Sequence, residues 1–191
     1  MNHLDLGCGG TPFNPYNADK IFGVDIYQPK FTRDVVFKQA NLSTQGIPFE
    51  SDFFDSVSAF DVIEHIPRII QYPTVNDTRF SFIELMNEAW RVLKHGGLFY
   101  AVTPAYPRPE AFMDPTHVNI ITDQTHIYFC EESVAKNYGF YGRFEKVNVR
   151  WDHPQNLLKA GNDFRRSMRR ITRALQFRKP SHILWEFRAI K

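Results

Sequence analysis

The stretch Leu4-Asp5-Leu6-Gly7-Cys8-Gly9-Gly10 constrains this chain more than any other. Apolar residues running straight into close-set glycines read as a strand ending in a tight turn, where a ligand meets backbone without a Cβ in the way. Glycine clusters also occur in plain loops, so the turn takes its meaning from the next strand. Asp25 stands fifteen residues past Gly10 and closes a second apolar run, Ile21-Phe22-Gly23-Val24. A carboxylate is thereby placed at the end of a neighbouring strand, where ribose hydroxyls can be held. The pairing marks a nucleoside-containing cofactor. A dinucleotide fingerprint requires a further glycine three positions after the second, and that position, counted from Gly9, is Pro12. A phosphate-cradling loop requires Gly-Lys-Ser/Thr, and the chain has none after this turn.

The chain has 191 residues, 43% of them apolar and 15% aromatic, which suits one folded domain spanning residues 1–191. No apolar run approaches the roughly 18 residues of a membrane span, and the first residues lack the charged leader and apolar core of a secretion signal. The expectation is a cytoplasmic protein whose two cysteines, Cys8 and Cys130, are reduced thiols in packed positions. The formal net charge is only +2, but eight Lys and Arg residues fall within 159–179 beside a single acid, Asp163. Positive charge is therefore local. Within residues 152–180, Phe164, Met168, Ile171 and Leu175 repeat at helical spacing with Arg165, Arg166, Arg169, Arg170 and Arg173 on the flanks, which predicts a basic amphipathic helix inserted late in the domain. Such a helix packs its stripe on the domain or meets an acidic membrane surface, a protein partner or an anionic acceptor.

Further blocks fall in a telling order. Residues 35–37 are apolar enough for a short third strand. Asp55 begins an apolar strand that delivers Asp61 to the edge occupied by Gly7 and Asp25, and Val62-Ile63-Glu64-His65-Ile66 comes directly after it. Residues 68–79, flanked by Pro67 and holding Pro73, read as a loop of the kind that carries substrate contacts. Residues 80–94 carry apolar side chains at helical spacing, His95-Gly96-Gly97 reads as the stop, and residues 98–103 as the next strand. After a Pro-rich loop and the run Met113-Asp114-Pro115-Thr116-His117-Val118-Asn119, residues 123–138 read as a helix and residues 144–151 and 182–190 as strands.

These blocks, above all the glycine turn with Asp25 and the segment NEAWRVLKHGGLFYAVTP, resemble the class I methyltransferases that use S-adenosylmethionine. The resemblance implies an α/β, Rossmann-like fold: a mostly parallel twisted sheet flanked by helices, with an antiparallel C-terminal strand. It implies that S-adenosylmethionine is held by Asp5, Gly7, Cys8, Gly9, Asp25, Asn41, Leu42 and Asp61, with Asn41 facing the adenine where an acid is more usual. The loop holding Asp114 and His117 resembles the acceptor-side loop of small-molecule and sugar methyltransferases. His117 is accordingly the expected general base, Asp114 the group that orients it, and His65 the competing base.

Two departures stand beside the resemblance. Thr11–Lys20, with Pro12 and Pro15, is too short for a regular crossover helix, and the helical segment that usually precedes the glycine turn is expected to be missing or supplied from elsewhere. Base-modifying relatives carry Asn or Asp followed by Pro-Pro and an aromatic after the fourth strand, whereas this chain has Asp61-Val62-Ile63-Glu64-His65. The expected acceptor is therefore a hydroxyl of a small molecule or glycan rather than nucleic acid, and the rival reading is a catalytically idle cofactor-binding or scaffold domain.

Overall fold

The computed structural model describes residues 1–72, 77–160 and 179–191. The expected basic helix within residues 152–180 lies for the most part outside the described residues.

Three strands come first: β1 (Asn2–Leu6), β2 (Lys20–Asp25) and β3 (Val36–Gln39). They are followed by β4 (Phe54–Phe60), a short hairpin of β5 (Ile70–Tyr72) and β6 (Asp77–Arg79), helix α1 (Ser81–Val92) and the long strand β7 (Leu93–Pro104). Short helical turns α2 (Glu110–Met113), α3 (Ile127–Cys130) and α4 (Glu132–Ala135) lead to β8 (Phe144–Asp152) and β9 (His182–Ala189). Among the described residues the main sheet has the order β3-β2-β1-β4-β7-β9-β8. Neighbours from β3 to β7 are parallel, and β9 runs antiparallel to both β7 and β8. The chain winds outward from β1 to β3 and then returns to place β4 on the other side of β1. The carboxyl ends of β1, β2 and β4 thus flank a topological switch point, where α/β sheets bind ligands.

Period-2 alternation sorts the strands onto two unlike faces. On one, Leu4, Leu6, Val57, Ala59, Phe99, Ala101, Trp185 and Phe187 are buried against Phe82, Leu85, Met86, Ala89 and Phe129 from α1 and α3. On the other lie His3, Asp5, Ser56, Ser58 and Tyr100, all buried and mostly polar. No helix covers them among the described residues. The linker after the glycine turn takes that place: Phe13 packs on Phe60 and Tyr100, and Tyr16 stands edge-on to Tyr100. Leu157 completes this small apolar cluster, and its carbonyl accepts the Tyr100 hydroxyl at 3.0 Å. The polar groups are matched beneath. Phe13 N donates to Asp5 at 2.7 Å, Ser58 Oγ donates to Asp5 at 2.6 Å, and the His3 ring meets Ser56 Oγ at 2.7 Å and the Phe13 carbonyl at 2.9 Å. A prolyl linker too short for a helix thus satisfies a polar sheet face with its own backbone.

Several elements differ from expectation. Within residues 68–79, Ile70–Tyr72 and Asp77–Arg79 pair as antiparallel strands where a bare loop is expected, with Ile70 opposite Arg79. The helix after β6 ends at Val92 because Leu93 turns extended (ψ 143°), so Gly96 and Gly97 lie inside β7. There they absorb a register shift against β4, Phe54 pairing with Leu93 and Ser56 with Leu98. The expected helix over residues 123–138 breaks at Glu131 (φ −104°, ψ 110°). Phe129 and Ala135 are both buried, yet six positions apart they occupy different faces of a continuous helix, and the break turns both inward. Among the described residues no helix is long and apolar enough to cross a membrane.

Candidate active site

The glycine turn closes with Gly7 N and Cys8 N donating to the Val24 carbonyl at 2.8 and 3.2 Å, which holds the end of β1 against β2. Gly7 and Gly9 have φ of +65° and +48°, a region L side chains rarely adopt. A Cβ on Gly7 would also lie 2.5 Å from a Val62 methyl. Gly9 N donates to one Asp25 oxygen at 3.0 Å, fixing that carboxylate while leaving lone pairs for a ligand.

Beside the turn opens a cleft of about 310 Å³ lined by Gly7, Asp25, Ile26, Ala40, Asn41, Leu42, Ser43, Asp61, Val62, His65 and Ile66. A nucleoside fits the chemistry of this wall, with a carboxylate for hydroxyls at Asp25 and an apolar seat from Ile26, Ala40 and Leu42 for a base. Asn41 lines the cleft but begins a turn as well: its Oδ1 accepts from Ser43 N at 3.0 Å and its carbonyl from Gln45 N at 2.8 Å. Asp61 holds a left-handed backbone (φ +51°) with its amide on the Val102 carbonyl, and its carboxylate lies 3.2 Å from His182 Nε2.

Two expected cofactor residues stand elsewhere. Asp5 is buried on the polar sheet face, and burial pushes its carboxyl up to about 7. Its side chain alternates with Leu4 and Leu6 and so points away from the turn it precedes. Cys8 is buried with its thiol over Gly23, where a Cβ would stand only 2.6 Å from sulfur. Neither residue lines the cleft.

Beside this cleft two loops are strapped together. After β4 the chain makes a single helical turn, Ile63–His65, and the Glu64 carbonyl accepts both Val118 N and Asn119 N at 2.9 Å. Asn119 Nδ2 donates to the Ile63 carbonyl, while Arg68 donates to Asn119 Oδ1 and to the Ile120 carbonyl. This strap sets the His65 and His117 rings edge to face, centroids 4.8 Å apart at 74°. His65 also lines the cofactor cleft, so the histidine pair stands at its mouth.

Among the described residues no side-chain hydrogen bond joins His117 to the carboxylate of Asp114. Its Oδ1 accepts from Thr116 N at 2.7 Å and Thr116 Oγ1 at 2.6 Å, because two residues beyond an Asp is where such a turn closes on its own side chain. These two bonds hold its carboxyl below the usual range. Thr116 Oγ1 meets His65 Nδ1 at 2.9 Å, so Asp114 positions His65 through Thr116. Glu64, not among the residues expected here, is fully buried with Oε2 accepting from the Thr103 hydroxyl at 2.9 Å. Burial raises its carboxyl to about 8.

A family model described as a methyltransferase domain matches residues 4–101, more than half of the chain. The chain belongs to this family. It is a class I, S-adenosylmethionine-dependent methyltransferase. The match runs from β1 into β7 and so contains the glycine turn, Asp25, Asn41 and Asp61, while the His117 loop lies beyond it. Solved structures extend the likeness to the whole fold of the methyltransferase. It is similar to the Haloferax volcanii methyltransferase in complex with the Trm112 methyltransferase activator, with 14% identity and a TM-score of 0.60 over 100% of this chain and 83% of that one. An S-adenosylmethionine-dependent methyltransferase from Mesorhizobium loti is similar at 16% identity, with a TM-score of 0.57 over 98% of this chain and 90% of that one. One from Archaeoglobus fulgidus has 16% identity and a TM-score of 0.56 over 98% and 85%. None of the curated proteins matches the methyltransferase.

Proposed function

We propose that the methyltransferase transfers a methyl group from S-adenosylmethionine to a hydroxyl of a small molecule or glycan. The observation that carries this reading is the His65–His117 pair at the mouth of the donor cleft. Methyl transfer from a sulfonium is an in-line displacement, so the protein's work is to align an acceptor oxygen with the methyl and see to its proton. Imidazole is the side chain suited to proton handling near neutral pH. His117 is the first residue on which removal of that proton depends, with His65 beside it and Asp114 behind His65. Asp25 receives the ribose hydroxyls, Gly7 and Gly9 face the amino-acid tail, and Asn41, Leu42 and Asp61 complete the donor's walls.

A second cavity of about 520 Å³, lined among others by Arg68, Ile69, Phe80, Ile83, Ile127 and Tyr128, supports an acceptor with an apolar portion. Arg68 belongs both to that cavity and to the strap that carries the histidine pair. A nucleic-acid acceptor finds less support, because the chain after β4 turns at once into the Ile63–His65 helical turn and presents no aromatic there for a flipped base. A protein partner of the kind that accompanies the Haloferax methyltransferase, or an acidic membrane surface, is the role we assign to the basic residues of 159–179.

Incubation with isotopically labelled donor and a fractionated cell extract, followed by mass spectrometry, tests the reading. The expected product is a hydroxyl-bearing small molecule or glycan heavier by one methylene. Label recovered in nucleic acid, or donor bound without transfer to any fraction, overturns it.

A further inference from the structure

Glu64, His65 and His117 come together from the turn after β4 and the loop after β7, with one nitrogen of each ring and one carboxylate oxygen within 4.8 Å of one another. Three observations make this more than a polar cluster. The first is an under-served carboxyl: Glu64 Oε2 takes the Thr103 hydroxyl, but Oε1 is buried and makes no hydrogen bond to another residue. A buried carboxylate oxygen without a donor is costly, and a cation supplies the missing partner.

The second observation concerns tautomers. His65 Nδ1 faces the Thr116 carbonyl at 3.2 Å and His117 Nδ1 faces the Ala111 carbonyl at 3.3 Å. A carbonyl only accepts, so in these contacts each Nδ1 carries the hydrogen and each Nε2 keeps a lone pair. Metal-binding imidazoles are held in this way, by a backbone carbonyl on the far nitrogen. The third is the donor set itself: two imidazoles and one glutamate match a set that catalytic zinc uses, with a further position open.

We infer that Glu64, His65 and His117 bind a divalent transition-metal cation of the zinc type at the mouth of the donor cleft. Nitrogen ligands favour such an ion over magnesium or calcium, which prefer all-oxygen surroundings. Bonds of roughly 2.0–2.2 Å set tetrahedral ligands roughly 3.4 Å apart, so binding draws the two half-buried rings toward Glu64. The role of the ion rests on the proposed methyl transfer, although its binding does not. Held by Glu64, His65 and His117, such an ion would act as a Lewis acid that eases loss of the proton of an acceptor hydroxyl to water. That oxygen attacks the methyl carbon, and the carbon–sulfur bond breaks with its electron pair left on sulfur.

The test uses the full, untagged chain, stripped with a chelator and titrated with Co²⁺ as a spectroscopic probe, then with Zn²⁺ in competition. Expected are visible ligand-field bands that saturate at one equivalent, are displaced by Zn²⁺ and are indifferent to millimolar Mg²⁺. Glu64→Gln and His117→Ala should each weaken Co²⁺ binding at least about tenfold with an unchanged circular dichroism spectrum. Should Glu64→Gln fail to fold, His65→Ala, altering a half-exposed ring, takes its place. Absence of saturable bands in the parent, or bands that survive all three substitutions, overturns the site. Calorimetric titration with S-adenosylmethionine on the same samples keeps the conclusions apart. Donor binding without Co²⁺ binding overturns the cation site alone, and Co²⁺ binding without donor binding overturns the assignment of the cleft.

Discussion

His65 and His117 share one small space although each leaves a different strand, and the link between them is backbone: both Val118 N and Asn119 N hang on the carbonyl of Glu64, the residue before His65. The histidine pair and the cleft beside the glycine turn are thereby fastened to one another. His117→Ala should cut turnover by at least about a hundredfold, since a positioned proton acceptor contributes ~10²–10⁴-fold, while donor affinity stays near that of the parent. Steady-state kinetics on the identified acceptor, alongside donor calorimetry, check this. Near-full turnover in the variant removes His117 from the mechanism.

Asp25→Ala should weaken S-adenosylmethionine binding by about 1.5–3 kcal/mol for the loss of charge-assisted hydrogen bonds. Gly9 N loses its partner in the same variant but is only partly buried, so the fold should remain cooperative in thermal melting. Unchanged donor affinity would count against the role given to this carboxylate.

The polar sheet face sets a pH dependence of stability. Burial raises Asp5 to about 7, against the bonds from Ser58 and Phe13; nearby Asp25 raises it further and Arg33 lowers it. Since the folded value lies above the unfolded 3.8, the contribution of Asp5 is fully present below about pH 4 and is lost as pH rises through about 7. His3 is opposite: burial lowers it to about 4 from 6.5, so its contribution holds above 6.5 and is lost as pH falls through about 4. Between about pH 4 and 7 the two therefore oppose each other, and comparison with a variant that lacks the Asp5 titration isolates its share. Asp5→Asn keeps an acceptor for Phe13 N and removes the titration. The Tm of the parent should fall relative to that of the variant across this window, measured by differential scanning calorimetry. A constant difference would refute the assignment.

The basic residues of 159–179 lead to a salt test. If they meet an anionic surface, binding of the full chain to vesicles rich in acidic lipid should drop steeply from low to high salt. Charge reversal at Arg165, Arg166, Arg169 and Arg170 should abolish it with little change in Tm. A large loss of Tm instead assigns these residues to packing.

The strand ends that carry the proposed donor residues are legible because a short apolar run followed by glycine or aspartate fixes both element and position. Gly7, Gly9, Asp25 and Asp61 fall where their blocks predict. Asp5 departs from expectation because strand side chains alternate: Leu4 and Leu6 go to the helix-covered face, so His3 and Asp5 go to the other. The acceptor half was only half legible. His117 and His65 announce themselves as residue types, but Glu64 reads as a polar residue ending a strand, and its burial depends on Thr103 and on a loop more than fifty residues later. The break at Glu131 and the bulge at Gly96 are likewise decided by what the neighbouring strand and core require.

A sheet face closed by oriented hydrogen bonds tolerates sequence change differently from one closed by a greasy helix. Apolar contacts yield gradually, so Leu, Ile and Met substitute for one another beneath α1 at modest cost. Under the prolyl linker the partners are discrete: Ser58 serves Asp5 and the His3 ring at once. Ser58→Ala removes little volume, yet it takes a donor from a buried carboxyl and a partner from a buried imidazole. Over evolutionary drift, this side of the molecule is therefore free to vary in bulk at Phe13 and Leu157 but bound to the identities of two serines, a histidine and an aspartate.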